Sequence, residues 1–174
     1  MKKSSINPLP DFFDRYINLV EQDDLFHSFE ISKQNLESID LNHYQKIGNQ
    51  KYQSDKWSTK DVLQHIIDNE RIQSYRALRF ARMDNTILPG YDEKLFGQNS
   101  RATKRTIEHL IEELKILRVS TIQLFKSFDE EDLKNSGICF NQGISVLALG
   151  FVIVGHQIHH MNVIEEKYFP LANK

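Results

Sequence analysis

The sequence is short of the residues that punctuate a chain. It has one cysteine, four prolines and seven glycines in 174 residues. A single cysteine, Cys139, excludes an internal disulfide and leaves the redox compartment open; it reads as a small buried hydrophobe. Few Gly and Pro leave few sites for tight turns, which favours long helices over many short strands. No excess of charge of either sign is present, the formal net charge being -2. Phosphate binding rests on clustered surplus Lys and Arg, so nucleic acid and anionic membrane are not expected partners. No uninterrupted apolar run reaches the roughly 20 residues of a membrane span. The longest, Ile144 to Val154, is broken by Ser145 and Gly150, and MKKSSINPLPDFF lacks the apolar segment of a signal peptide. A soluble, cytoplasmic protein is the expectation, with residues 1–174 forming one domain.

What is present is helical periodicity. From Asp11 to about Asp40 the apolar spacing fits one broken helix or two shorter ones, with the acidic EQDD at Glu21–Asp24 either as the break or as a polar first turn. Leu41 to Trp57 lacks sustained periodicity and reads as a connection. At Ser58, STKD offers a capping pattern before VLQHIIDNERIQSYRALRFARM, predicting a helix to about Met83. The following DNTILPGYDEKLFGQNS holds Pro89 beside Gly90 and predicts a long loop of the kind that often carries function. A second amphipathic helix is expected from about Thr103 to Phe128, and a third from near Ser145 to before Pro170. The whole predicts an all-α four-helix bundle with a long connection between its second and third helices. A minor β pair in the connections is compatible with this pattern.

The last helix carries GHQIHHMNVIEEKY, with three of the seven histidines in five positions. His156 and His160 are four residues apart, about 400° of turn and ~6 Å of rise, so both imidazoles lie on one helical face and can share a cation. Two histidines do not complete a site. His65, among Leu63, Ile66 and Ile67 of VLQHIID, is the best third ligand; His27, His43 and His109 have the polar or loop context of surface residues. His159 pairs with His156 at i, i+3 and is an alternative to His160, whose smaller angular offset is preferred.

These motifs resemble the DinB-like superfamily of metal-binding four-helix bundles. The resemblance rests on KWSTKDVLQHIIDNERIQSYRALRFAR at Lys56–Arg82, LPGYDE at Leu88–Glu93 and GHQIHHMNVIEEKY at Gly155–Tyr168. It implies a divalent metal, nickel or zinc before manganese or iron, held by His65, His156 and His160 with positions left open. It further implies hydrolase or low-molecular-weight-thiol S-transferase activity on a small molecule, and a homodimer.

Three histidines with open positions describe a catalytic rather than a structural metal site. A non-catalytic, metal-stabilised stress-response or interaction module is the alternative. Gln157 stands where an H-E-x-x-H peptidase has its general base, and an amide cannot take a proton from water. Asp68 is three residues after His65 and is the candidate to orient that ring or act on a bound water. Glu70 projects roughly 140° away from His65 and is not expected at the metal. Arg76 and Arg79 fall within about 40° of His65 on the helical wheel, as candidates for an anionic substrate. Tyr91 and Asp92, after Pro89, are candidates at the mouth of the bundle.

Overall fold

Each long helix begins on a side chain that satisfies its free amides. The computed structural model describes residues 1–173. Among them are α1 (Asp14–Ile17), α2 (Leu25–Glu37), α3 (Leu41–Ile47), α4 (Thr59–Ala81), α5 (Glu93–Asn99), α6 (Ile107–Lys126), α7 (Glu130–Lys134) and α8 (Val146–Val163). A two-stranded antiparallel hairpin, β1 (Ser136–Cys139) and β2 (Gln142–Ser145), precedes α8. Ser58 and Asp61 form the capping box of α4, and Asp24, Thr106 and Ser145 cap α2, α6 and α8. The acidic stretch is therefore a break whose last residue, Asp24, starts α2.

Three expectations are corrected. Residues 41–57 contain α3, a helix too short to display a period, which Asp40 caps and which buries Tyr44 and Ile47. The long loop after α4 contains α5, capped by Asp92. The final helix also runs on past Val163 through a π-helical turn, Ile164–Tyr168, and a 3-10 turn, Phe169–Asn173. From Val146 to Ala172 it is long and apolar enough to cross a membrane, but two thirds of its apolar window lies inside the fold. It is the core helix of the bundle.

The bundle helices α2, α4, α6 and α8 form a square in which α4 packs on α8 and α6, and α2 packs on the same two. Their directions follow from the core, which is split into two apolar clusters. One contains Leu25, Phe29, Ala77, Phe80, Ile122, Phe125 and residues 146–149 of α8. The other contains Leu36, Leu63, Ile67, Leu110, Leu114, Ile164 and Tyr168. α2 and α8 run from the first cluster to the second, α4 and α6 from the second to the first. Hence α4 and α6 are parallel neighbours, and the chain between them must return along the bundle, which explains the long connection at residues 82–106. Part of it is pinned to the hairpin by the backbone of Leu88, whose N donates to Ile138 O at 2.9 Å and whose O accepts from Phe140 N at 3.3 Å.

Between the clusters every bundle helix contributes a polar residue. Arg118 of α6, fully buried, donates Nε and Nη2 to Glu70 of α4 at 2.9 and 2.8 Å. Its Nη1 donates to Ser32 of α2. Ser32 Oγ donates to Gln157 Oε1 of α8 at 2.8 Å, and Gln157 Nε2 returns to the Ser32 carbonyl at 3.3 Å. A buried charge needs both a counter-ion and hydrogen bonds, and this brace supplies them.

Candidate metal centre

His65 comes from the second turn of α4, whose start is fixed by the Ser58–Asp61 box, and His156 and His160 come from the facing antiparallel helix α8. Nε2 of His65 and Nε2 of His156 stand 3.0 Å apart. One ligand nitrogen from each of the three histidines lies within 4.8 Å of the others. Zinc–imidazole bonds of about 2.0–2.1 Å at a tetrahedral angle separate two nitrogens by roughly 3.3 Å. His65 and His156 are already near that spacing, and His160, the least buried of the three, brings its nitrogen within 4.8 Å of both.

Electrostatics favour the same species. Burial pushes His65 down to about 4 and His160 to about 2, with repulsion between neighbouring imidazoles adding to the effect. His156 is held well below the usual histidine range by burial and then by His160, His65 and His159. All three are therefore neutral at pH 7, the state in which imidazole ligates a metal. Three neutral nitrogens, without a fourth side-chain ligand among the described residues, form a donor set that fits a divalent metal with open positions.

The surroundings shield one side and open the other. Trp57 lies against His65 with ring centroids 4.9 Å apart, and a Cβ on Gly97 of α5 would meet the Trp57 ring at 3.0 Å. Tyr16 of α1 sets its ring edge-on to His156 at 5.2 Å. α1 comes this close because α8 has Gly155 there: a Cβ at that position would sit 1.9 Å from the Tyr16 carbonyl oxygen. On the open side a narrow cleft of about 40 Å³ reaches His156 and is lined by Tyr16, Asn69, Gln73, Arg76, Tyr91 and Glu93, with phenylalanines at its rim.

The candidates named from the sequence fall in different places. Arg76 and Tyr91 line the cleft, Tyr91 OH accepting from Asn69 Nδ2 at 2.9 Å. Asp68 accepts from Gln64 Nε2 at 2.9 Å, and Gln64 in turn accepts from Arg105, which draws Asp68 toward α6. Arg79 is engaged at the surface by Asp84 and Tyr75. Asp92 accepts the amides of Lys94 and Leu95 as the cap of α5. His159 is exposed, outside the cluster, and packs against Tyr16 and His160. Glu70 is at Arg118, away from the histidines. Cys139 is buried, and burial pushes its thiol above the usual range.

From the sequence Asn69 lies on the His65 side of the helix but was given no role, and Glu93 counts only as the end of the LPGYDE motif; it reaches the cleft through the fold of the connection. Gln73 was not singled out, although at i+8 from His65 the helical wheel could have found it.

The family model of the DinB superfamily matches residues 42–164. Among solved structures, YfiT from Bacillus subtilis, described as a probable metal-dependent hydrolase with an unusual four-helix bundle topology, is similar with a TM-score of 0.66. That likeness covers 96% of this chain and 90% of the other at 17% identity, so it speaks for the fold alone. No curated protein matches.

Proposed function

The chain belongs to the DinB superfamily, and from that premise we propose that it is a divalent-metal enzyme acting on a small molecule. In this reading nickel or zinc is held by His65, His156 and His160, and the reaction is transfer of a low-molecular-weight thiol, with hydrolysis as the second choice. The observation that carries it is the meeting of three neutral imidazoles at the end of a cleft, two of their nitrogens 3.0 Å apart.

A divalent metal in such a set lowers the pKa of a bound thiol or water and polarises a carbonyl. The protein's own residues favour the thiol. Gln157 is an amide and is committed to Ser32, while Asp68 is committed to Gln64. An amide takes no proton, Asp68 is turned to Gln64 on the Arg105 side, and a thiol gives up its proton with less help than water does. Glu93 is the carboxylate on the cleft wall, and burial raises its pKa, with Arg15 opposing. In this proposal it is the group that exchanges protons with the substrate. Trp57 and Tyr16 keep water from the closed sides of the ligand rings, and Tyr16, edge-on, holds the His156 plane. An open cleft at His156 also argues against a metal that serves only to tie α4 to α8.

Metal analysis of tag-free protein, with the His65→Ala, His156→Ala double variant as control, tests the foundation. About one metal per wild-type chain and none in the variant is the expected result; equal loading of both refutes the site. In cobalt-loaded protein, added cysteine should produce a thiolate-to-cobalt charge-transfer band. An unchanged spectrum rules out the thiol reaction.

A further inference from the structure

Asn69, Gln73 and Arg76 follow His65 along one side of α4, about 40°, 80° and 20° around the axis from it. That side faces the interior of the bundle, and all three residues are at least nine-tenths buried. Arg76 donates Nη2 to the Pro89 carbonyl at 2.9 Å and Nη1 to Gln73 Oε1 at 3.3 Å, both neutral acceptors. Among the described residues the arginine ion pairs engage Arg71, Arg79, Arg82, Arg105 and Arg118, and leave Arg76 without a carboxylate. The contrast with Arg118, equally buried and bidentate to Glu70, is direct. A buried charge without a counter-ion is costly, and a ligand anion removes that cost.

Asn69 adds a second, independent sign. Its Nδ2 donates to Tyr91, which fixes the amide, while its Oδ1 is buried with no partner among the described residues. Such an acceptor calls for a donor from outside the protein. The rim is the third element. Phe12 and Phe140 face each other with centroids 5.2 Å apart, and both hold left-handed backbone conformations, φ 69° and 51°, that bulky residues rarely adopt. The fold thus keeps two half-exposed aromatic rings at the cleft mouth.

We propose that this cleft takes the polar end of an organic monocarboxylate, its carboxylate on Arg76 and a hydrogen-bond donor on Asn69 Oδ1, while an apolar flank lies at the mouth over the half-exposed outer faces of Phe12 and Phe140. A single guanidinium, with Glu93 elsewhere on the wall, suits one negative charge better than a phosphate dianion. Asn69 and Arg76 are roughly 10 Å apart along the helix axis, seven residues at about 1.5 Å each. The Arg76 guanidinium folds back to Gln73, so the carboxylate lies several bonds, not one, from the end of the ligand at the histidines. The reacting end rests on the function proposed above; the carboxylate site does not.

The test compares 3-phenylpropionate with its neutral isostere 3-phenylpropanamide by calorimetric titration, in chelator-treated and in zinc-loaded protein. The acid should bind at least tenfold tighter than the amide in both forms, and R76M, checked for folding by circular dichroism, should lose that preference. If R76M does not fold, the wild-type comparison decides alone. Equal affinities, or no binding of either probe to wild type, overturn the inference. So does a preference that needs zinc and survives in R76M, because the anion then sits on the metal. A tenfold preference in chelator-treated protein, found together with no zinc binding at all, sustains the carboxylate site and removes the proposed metal function.

Discussion

Removing Glu70 should unfold this protein more readily than removing any single carboxylate at its surface. Arg118 is fully buried and Glu70 2% exposed, with two hydrogen bonds of 2.8–2.9 Å between them. In Glu70→Ala the guanidinium stays in the core with only Ser32 beside it, a situation that costs about 3–5 kcal/mol when one partner of a buried pair is deleted. For a domain of this size 1 kcal/mol corresponds to about 2–4 °C, so the melting temperature should fall by roughly 6–20 °C. Replacing both partners, as Glu70→Leu with Arg118→Met, removes the stranded charge and should recover most of the loss. The assay is urea unfolding followed by circular dichroism, with all four corners of the mutant cycle measured at pH 7.5. A loss under about 1 kcal/mol in Glu70→Ala, or a double variant no more stable than the single ones, would refute the account of the brace.

Gly155→Ala should destabilise by about 1–3 kcal/mol, the usual range for overpacking, since its Cβ has no room beside the Tyr16 carbonyl; unchanged melting would show that α1 is not seated there. Ser58→Ala removes the cap of α4 and should cost about 1 kcal/mol, read by the same unfolding curves. Metal-free protein should lose stability as pH falls from about 6.5 toward 4. The folded histidines are depressed, His65 to about 4, so below 6.5 the unfolded chain binds protons that the folded chain refuses. The loss should be smaller in His65→Phe, and a melting temperature flat from pH 7.5 to 5 would contradict the burial of these rings. Zinc at a hundred times its dissociation constant should stabilise by about 2.7 kcal/mol and change the emission of Trp57, the sole tryptophan, which touches His65; unaltered fluorescence would place the ion elsewhere.

Much of the bundle was legible because α4 and α6 carry a capping residue and a sustained 3.6-residue period, while α8 shows as a near-continuous apolar run behind its capping Ser145. The histidine pair on α8 was legible for the same reason, since i, i+4 spacing fixes two rings on one face, and the apolar neighbours of His65 marked it as core-facing. The helical wheel also separated Glu70 from His65. It did not give Glu70 a partner, although a signal existed: Arg118 lies on the stripe of Leu114, Ile122 and Phe125, where a charge has to be compensated. α3 and α5 were hidden by length, seven residues each. The wheel could not separate Arg76 from Arg79, because only the Pro89 carbonyl, supplied by a distant turn, holds the first inside while Asp84 holds the second outside. The aromatic rim was invisible, since Phe12 and Phe140 are 128 positions apart and meet only after the hairpin is docked.

The parallel pairing of α4 with α6 and of α2 with α8 means that no two bundle helices are joined as a hairpin. Every interface around the square unites segments distant in sequence, and the histidines that face each other are 91 residues apart. Ordinary helical proteins fold fast because their contacts are local. Here the helices meet non-local partners, as strands do in a β-sheet protein: the polypeptide must all but finish leaving the ribosome before α4 can find α8, and refolding in milliseconds or longer, rather than microseconds, is the kinetic mark it should bear.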